Sequence, residues 1–69
     1  MLLIRISTKN LGEYLNISSD EFLTVLDSAI YEKKEKPLEN VLQDTMVLHD
    51  YGLDSNGYYV DVYLTKGVL

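Results

Sequence analysis

Residues 18 to 30 constrain this chain more than any other stretch. Ser18 and Glu21 stand in the Ser-x-x-Glu order of a helix capping box, in which the first side chain accepts the amide N–H three residues on. Behind them Phe22, Val25, Leu26, Ala29 and Ile30 recur at i, i+3, i+4, i+7 and i+8, the spacing that lines one side of an α-helix with apolar groups. The pattern predicts a helix running from the Ser18 cap to about Lys34. A helix with one apolar stripe must bury it, so the rest of a 69-residue chain has to supply the opposing surface.

Candidates for that surface lie on both sides. Leu2, Ile4 and Ile6 alternate with Leu3, Arg5 and Ser7, which predicts a half-buried strand over residues 2–7. Thr8 is placed to cap a short helix carrying Leu11, Tyr14 and Leu15, which stops near Asn16, a residue that tolerates left-handed backbone angles. Pro37 suits the first turn of a further short helix, PLENVLQ, with Leu38, Val41 and Leu42 as its apolar positions. Residues 45–53 and 58–65 then read as two strands joined through DSNG, where Asn56-Gly57 favours a type I′ hairpin turn. That register places Tyr58, Val60, Val62 and Leu64 on a core face with Leu53, Tyr51, His49 and Val47. It turns Tyr59, Asp61 and Tyr63 to the opposite face beside Asp50 and Asp54. The expected fold is a single α+β domain over residues 1–69. It consists of an N-terminal strand, a helix pair, a short third helix and a C-terminal β-hairpin in a small antiparallel sheet crossed by the long helix.

Charge bears on function. Six basic residues stand against eleven acidic ones, a net charge of −5. Nucleic-acid binding draws most of its affinity from Lys and Arg that displace counterions from phosphates, so the balance disfavours a direct DNA or RNA contact. No cysteine is present, which removes disulfides and thiolate metal sites and fits a reducing compartment such as the cytoplasm. The apolar runs fall far short of the roughly 18 residues that span a bilayer, and no secretory signal is expected.

The segment from Leu11 to Leu26, LGEYLNISSDEFLTVL, with the strand before it and the hairpin after it, resembles the helix-turn-helix superfamily and, more loosely, its winged-helix branch. The matching positions are Gly12 as the small residue where the second helix crosses the first, Asn16 at the turn, and Leu15, Ile17, Phe22, Val25 and Leu26 as the apolar set. The resemblance implies a DNA-binding transcriptional regulator whose second helix reads bases. The chain departs from that family by lacking its usual first helix, by inserting PLENVLQ, and by charge. The residues that would meet the duplex are Ser18, Ser19, Asp20, Thr24, Asp27 and Ser28, with no cation among them. Asp20 and Glu21 also have a local reason to be there, the positive end of the helix dipole.

Other motifs are weaker. GLDS at Gly52–Ser55 resembles the segment bearing the phosphopantetheine serine of acyl carrier proteins, which implies modification at Ser55. In that family a helix follows the serine, whereas here Asn56-Gly57 and a β-patterned run follow. His49 is the only histidine and alternates with Val47 and Tyr51 as a strand residue would; a metal site needs three or four convergent ligands. Ser55 has no identifiable base and no carboxylate pair has a pocket to tune it, so catalysis is not expected. No cofactor is implied.

The expected function is a small, acidic, non-enzymatic interaction module. It would act as a regulator or inhibitor that presents carboxylates to a basic surface of a nucleic-acid-handling protein. Two sets of residues are candidates: Asp20 and Asp27 on the long helix, and Tyr59 and Tyr63 with Asp50, Asp54 and Asp61 on the outward sheet face, where Tyr is an amphipathic anchor and carboxylates steer a basic partner. The strand holding Leu2, Leu3, Ile4 and Ile6 has an edge that could pair with a second copy, giving a homodimer.

Overall fold

A computed structural model describes residues 2–65. In chain order it contains β1 (Leu2–Ser7), α1 (Leu11–Tyr14), α2 (Ser19–Tyr31), α3 (Lys36–Val41), β2 (Met46–Asp54) and β3 (Gly57–Leu64). The three strands form one antiparallel sheet in the order β1-β3-β2. The helices cover one of its faces, giving the α+β architecture read from the sequence.

The core is the meeting of three apolar stripes. Phe22, Val25, Leu26 and Ala29 of α2 are buried against Ile6, Val60 and Val62 of the sheet, with Leu11, Leu15 and Leu38 closing the ends. Ser18 caps α2 as its spacing requires, its Oγ accepting the Glu21 N–H at 3.1 Å. The helix ends at Tyr31, three residues before the expected Lys34. Lys33 adopts a left-handed φ of 62°, while the N–H groups of Glu32 and Lys34 both donate to the Ser28 carbonyl, at 3.1 and 3.0 Å. A left-handed residue after a helix satisfies its last carbonyls and ends it.

The first helix is shorter than its apolar positions suggest. It begins after Asn10 rather than Thr8, and the Asn10 side chain does not cap it. Instead the Asn10 amide lies along the free edge of β1: Oδ1 accepts the Ser7 N–H at 2.7 Å, and Nδ2 donates to the Arg5 carbonyl at 3.0 Å. A neighbouring strand would bond the same two groups, so part of the edge expected to pair with a second copy is already occupied. Asn16 takes no left-handed angle, and Gly12 faces open space with nothing near enough to require the lack of a side chain. The close helix crossing expected at Gly12 is therefore not formed.

The hairpin corrects the register at two places. Asp54 pairs with Gly57, so Ser55 and Asn56 form the turn, and neither has the positive φ that a type I′ turn demands. Gly57 alone carries it, at 108°, and the Asp54 carboxylate accepts the Asn56 N–H at 2.8 Å. Further along, the ladder jumps between Leu48 and Asp50. This β-bulge adds one residue to β2 and exchanges the faces beyond it. Leu48 and Met46 thus join the core face, while Val47 and His49 turn outward, opposite to the sequence expectation. Near the turn the faces are as the alternation predicts, but Leu53, at the end of the strand, is left 51% exposed and does not join the core.

Because Lys33 is exposed and holds a conformation that costs an L-residue roughly 1–2 kcal/mol, Lys33→Gly is expected to stabilise the fold by up to about 1 kcal/mol despite glycine's larger unfolded-state entropy. Urea unfolding monitored by circular dichroism checks this; a lower midpoint would contradict the role given to Lys33.

Candidate interaction surface

Among the described residues no helix covers the second face of the sheet, and its side chains are arranged in cross-strand rows. Leu3, Tyr63 and Val47 form one row; Arg5, Asp61 and Asp50 form the next; Ser7, Tyr59 and Gly52 form the third. The sequence candidates Tyr59, Asp61, Tyr63, Asp50 and Asp54 are brought together here, as the alternation of β3 and the end of β2 requires. Their chemistry differs from what alternation alone suggests.

Asp61 is not a displayed carboxylate. It is 7% exposed, and Arg5 grips it in a two-pronged pair, Nε to Oδ1 at 2.8 Å and Nη2 to Oδ2 at 3.0 Å. A third guanidinium nitrogen, Nη1, reaches Asp54 Oδ2 at 3.4 Å. The Arg5 guanidinium carbon also sits 3.9 Å from the centroid of the Tyr59 ring, a cation–π arrangement. These partners hold the Arg5 pKa above its ordinary value, chiefly through the hydrogen bond to Asp61. Asp61 lies directly across the ladder from Asp50, a pairing of like charges that is unfavourable when uncompensated. Arg5 on the other flank supplies the compensation, while the Asp50 carboxylate accepts the Tyr51 N–H at 2.8 Å. Gly52 completes this end: a Cβ there would lie 2.9 Å from the Tyr59 hydroxyl, so the bare backbone lets the ring lie across β2.

At the other end the face is apolar. Leu3 is 48% and Val47 50% exposed, and His49 meets the Tyr63 ring edge-on at a centroid distance of 5.0 Å. Of these residues the sequence pattern marks Tyr63, but not Arg5, Leu3 or Val47, as a candidate on this face. Arg5 was one polar residue of an alternating strand until its ladder partner was known, and Val47 and His49 face outward only because of the bulge.

Asp20 and Asp27 lie elsewhere, on α2. Asp20 is exposed in its first turn. Asp27 marks the seam between layers, where Tyr58 Oη donates to its Oδ1 at 2.5 Å. A second such link joins Tyr51 Oη to Glu35 Oε2 at 2.6 Å. Each hydrogen bond to a carboxylate favours the protonated phenol, pushing the pKa values of Tyr51 and Tyr58 from 10.0 up to about 12.

Charge is segregated between the layers. Eight acidic side chains, from Glu13 to Asp44, stand against Lys33, Lys34 and Lys36 between α1 and the start of β2, and all eight are exposed. The helical segment therefore carries −5, the net charge of the whole chain. The rest of the chain balances to zero.

Two open depressions lie on the surface, one of about 430 Å³ between α3 and β2 lined by Glu39, Leu42, Gln43 and Met46. A shallow depression of about 260 Å³ opens between Arg5, Lys9, Asp54 and Tyr59, but its guanidinium is already held by two carboxylates. Ser55 occupies the hairpin turn, ahead of a strand and not a helix. Among the described residues no three His, Cys, Asp or Glu side chains converge as metal ligands, and no helix is long and apolar enough to cross a membrane. Comparison with family models, curated proteins and solved structures produced no match.

Two measurements follow from these contacts. In a double-mutant cycle of Arg5→Met and Asp61→Asn, Arg5→Met is expected to destabilise strongly because it strands a buried carboxylate, and the double variant to recover part of the loss. The coupling should exceed that of an exposed ion pair; simple additivity would remove the pair from the account. The tyrosine pairs contribute stability fully below pH 10, where both folded and unfolded phenols are protonated. That contribution falls between pH 10 and about 12, where the unfolded chain releases its protons first. Absorbance titration at 295 nm should show two late-ionising tyrosines, one of which Asp27→Ala returns toward 10.

Proposed function

We propose that this protein is a non-enzymatic interaction module whose helical layer binds a basic protein surface of the kind that otherwise contacts nucleic-acid phosphates. The observation that carries this reading is the segregation of charge: −5 on one layer of the molecule, with Asp20 and Glu21 exposed at its α2 end. A field of one sign on a small rigid body attracts a complementary surface and repels polyanions. The resemblance to DNA readers is compatible with such a role, since the same helix, stripped of cations, presents carboxylates where a reader presents lysine and arginine. Asp27 has a lesser part in it, because its carboxylate is already engaged by Tyr58. A regulator or inhibitor acting by charge mimicry is the specific form this reading takes.

The test combines two measurements. In a gel shift at low salt the protein should leave random duplex DNA unshifted. Basic nucleic-acid-handling proteins captured on the immobilised chain should be released by salt and by competing duplex, and the variant Asp20→Asn with Glu21→Gln should recover them several-fold less, on the order of fivefold. Salt-sensitive binding of the chain itself to DNA would favour the winged-helix regulator instead, and capture indifferent to the two substitutions would remove the helical layer as the contact.

A further inference from the structure

We propose that the groove between α3 and β2 receives a bulky apolar side chain from a basic segment of the partner protein, whose flanking lysine or arginine residues meet Glu39 and Asp44. This contact rests on the reading of the helical layer as a surface for a basic protein, and it is separate in sequence from Asp20 and Glu21 of α2.

Three observations lead to that occupant. The first is the floor. Leu42, Met46 and Leu48 line the groove; each is only partly buried and packs against the core. The groove's volume of about 430 Å³ falls in the range of roughly 300–1,000 Å³ in which pockets hold bound groups. A leucine- or phenylalanine-sized side chain is thereby accommodated. The second is the rim. Glu39 and Asp44 line the same groove, both are exposed, and among the described residues neither carboxylate forms an ion pair. From Pro37 to Thr65 the chain carries five carboxylates and neither lysine nor arginine. An apolar floor bounded by unpaired carboxylates is complementary to an apolar group flanked by cations, and it repels an acidic ligand. The third is the outer edge of β2. An edge strand normally recruits another strand, but this one is closed to a regular ladder. The Met46 N–H donates to the Gln43 carbonyl at 2.9 Å, the Tyr51 N–H donates to Asp50 Oδ1 at 2.8 Å, and the bulge between Leu48 and Asp50 interrupts the strand. Recognition therefore falls to a side chain and its flanking charges.

The groove is built before a partner arrives. Gln43 Nε2 donates to the Tyr14 carbonyl at 2.7 Å, and the Leu42 N–H donates to the Glu39 carbonyl at 3.2 Å. These bonds tie the segment between α3 and β2 to α1 and to α3, which lowers the ordering cost of binding. One side chain and two carboxylates still make a weak contact in isolation, with a dissociation constant on the order of 1 mM for a short peptide.

The test is a titration of the intact, isotope-labelled chain with three heptapeptides, followed by NMR chemical shifts at about 0.15 M salt, where charges beyond roughly 8 Å are screened. One peptide has three lysines on each side of a central leucine, the second has glycine in place of the leucine, and the third has glutamates in place of the lysines. The lysine–leucine peptide should shift the amides of Leu42, Gln43, Met46, Val47 and Leu48. It should bind at least about fivefold more tightly than the lysine–glycine peptide, because only the leucine fills the apolar floor. The glutamate peptide should leave the spectrum unchanged. Glu39→Gln combined with Asp44→Asn should weaken the lysine–leucine peptide about fivefold or more, whereas Asp20→Asn with Glu21→Gln should change its affinity by less than about twofold. Circular dichroism confirms that each variant is folded, and the comparison of peptides on the unaltered chain stands without any variant. Equal binding of the leucine and glycine peptides, shifts confined to the first turn of α2, or indifference to the Glu39 and Asp44 substitutions overturns the groove and leaves the basic-partner reading in place. Absence of binding by both lysine peptides overturns the two together.

Discussion

This chain has enough helix for one layer and a sheet with two faces. Phe22, Val25, Leu26 and Ala29 cover Ile6, Val60 and Val62 from one side, and among the described residues no element covers the other. Everything notable about the molecule follows from that inequality. Burial of apolar surface near 25 cal/mol per Å² is the main favourable term in a domain of this size, and here it is collected on one side only. The remaining side must be made tolerable to water by other means.

Those means are polar and local. On the open face Arg5 neutralises Asp61, stacks on Tyr59 and reaches Asp54, so a central strand with a carboxylate at its middle keeps its hydrogen-bonding capacity satisfied. At the boundary between layers, the hydroxyls of Tyr58 and Tyr51 extend from the sheet to Asp27 and Glu35, tying an apolar core to an acidic rim. Asn10 performs a comparable service along the β1 edge. Six tyrosines in a chain with no tryptophan are consistent with this use, since a phenol packs as a hydrocarbon and ends in a hydrogen-bonding group.

Function was less legible than fold. The capping box and apolar stripe of α2 specified a helix because both signals are local. The alternation of residues 2–7 and 58–65 specifies strands for the same reason, and it groups Tyr59, Asp61 and Tyr63 with Asp50 and Asp54 as the ladder does. Properties that depend on distant partners or on one backbone angle are not legible in local pattern. Asp61 reads as a displayed acid until Arg5, 56 positions earlier, is seen on the adjoining strand. Asp27 reads as a solvent-facing helix residue until Tyr58 is found beneath it. A two-residue period carries no mark of a bulge and so places Val47 and His49 in the core, and with no glycine to announce its end nothing local stops α2 before about Lys34.

Signals between residues close together in the chain are enough for the helix, through its cap and stripe, for the strands, through their alternation, and for the α+β class, while the excess of acid is read by counting. Where that acid lies, which carboxylates are free, and which apolar residues face water emerge only once the chain is folded. Those properties are set by strand order, by the inserted residue in β2 and by pairings such as Arg5 with Asp61, and they come into being when segments far apart in sequence are brought into register.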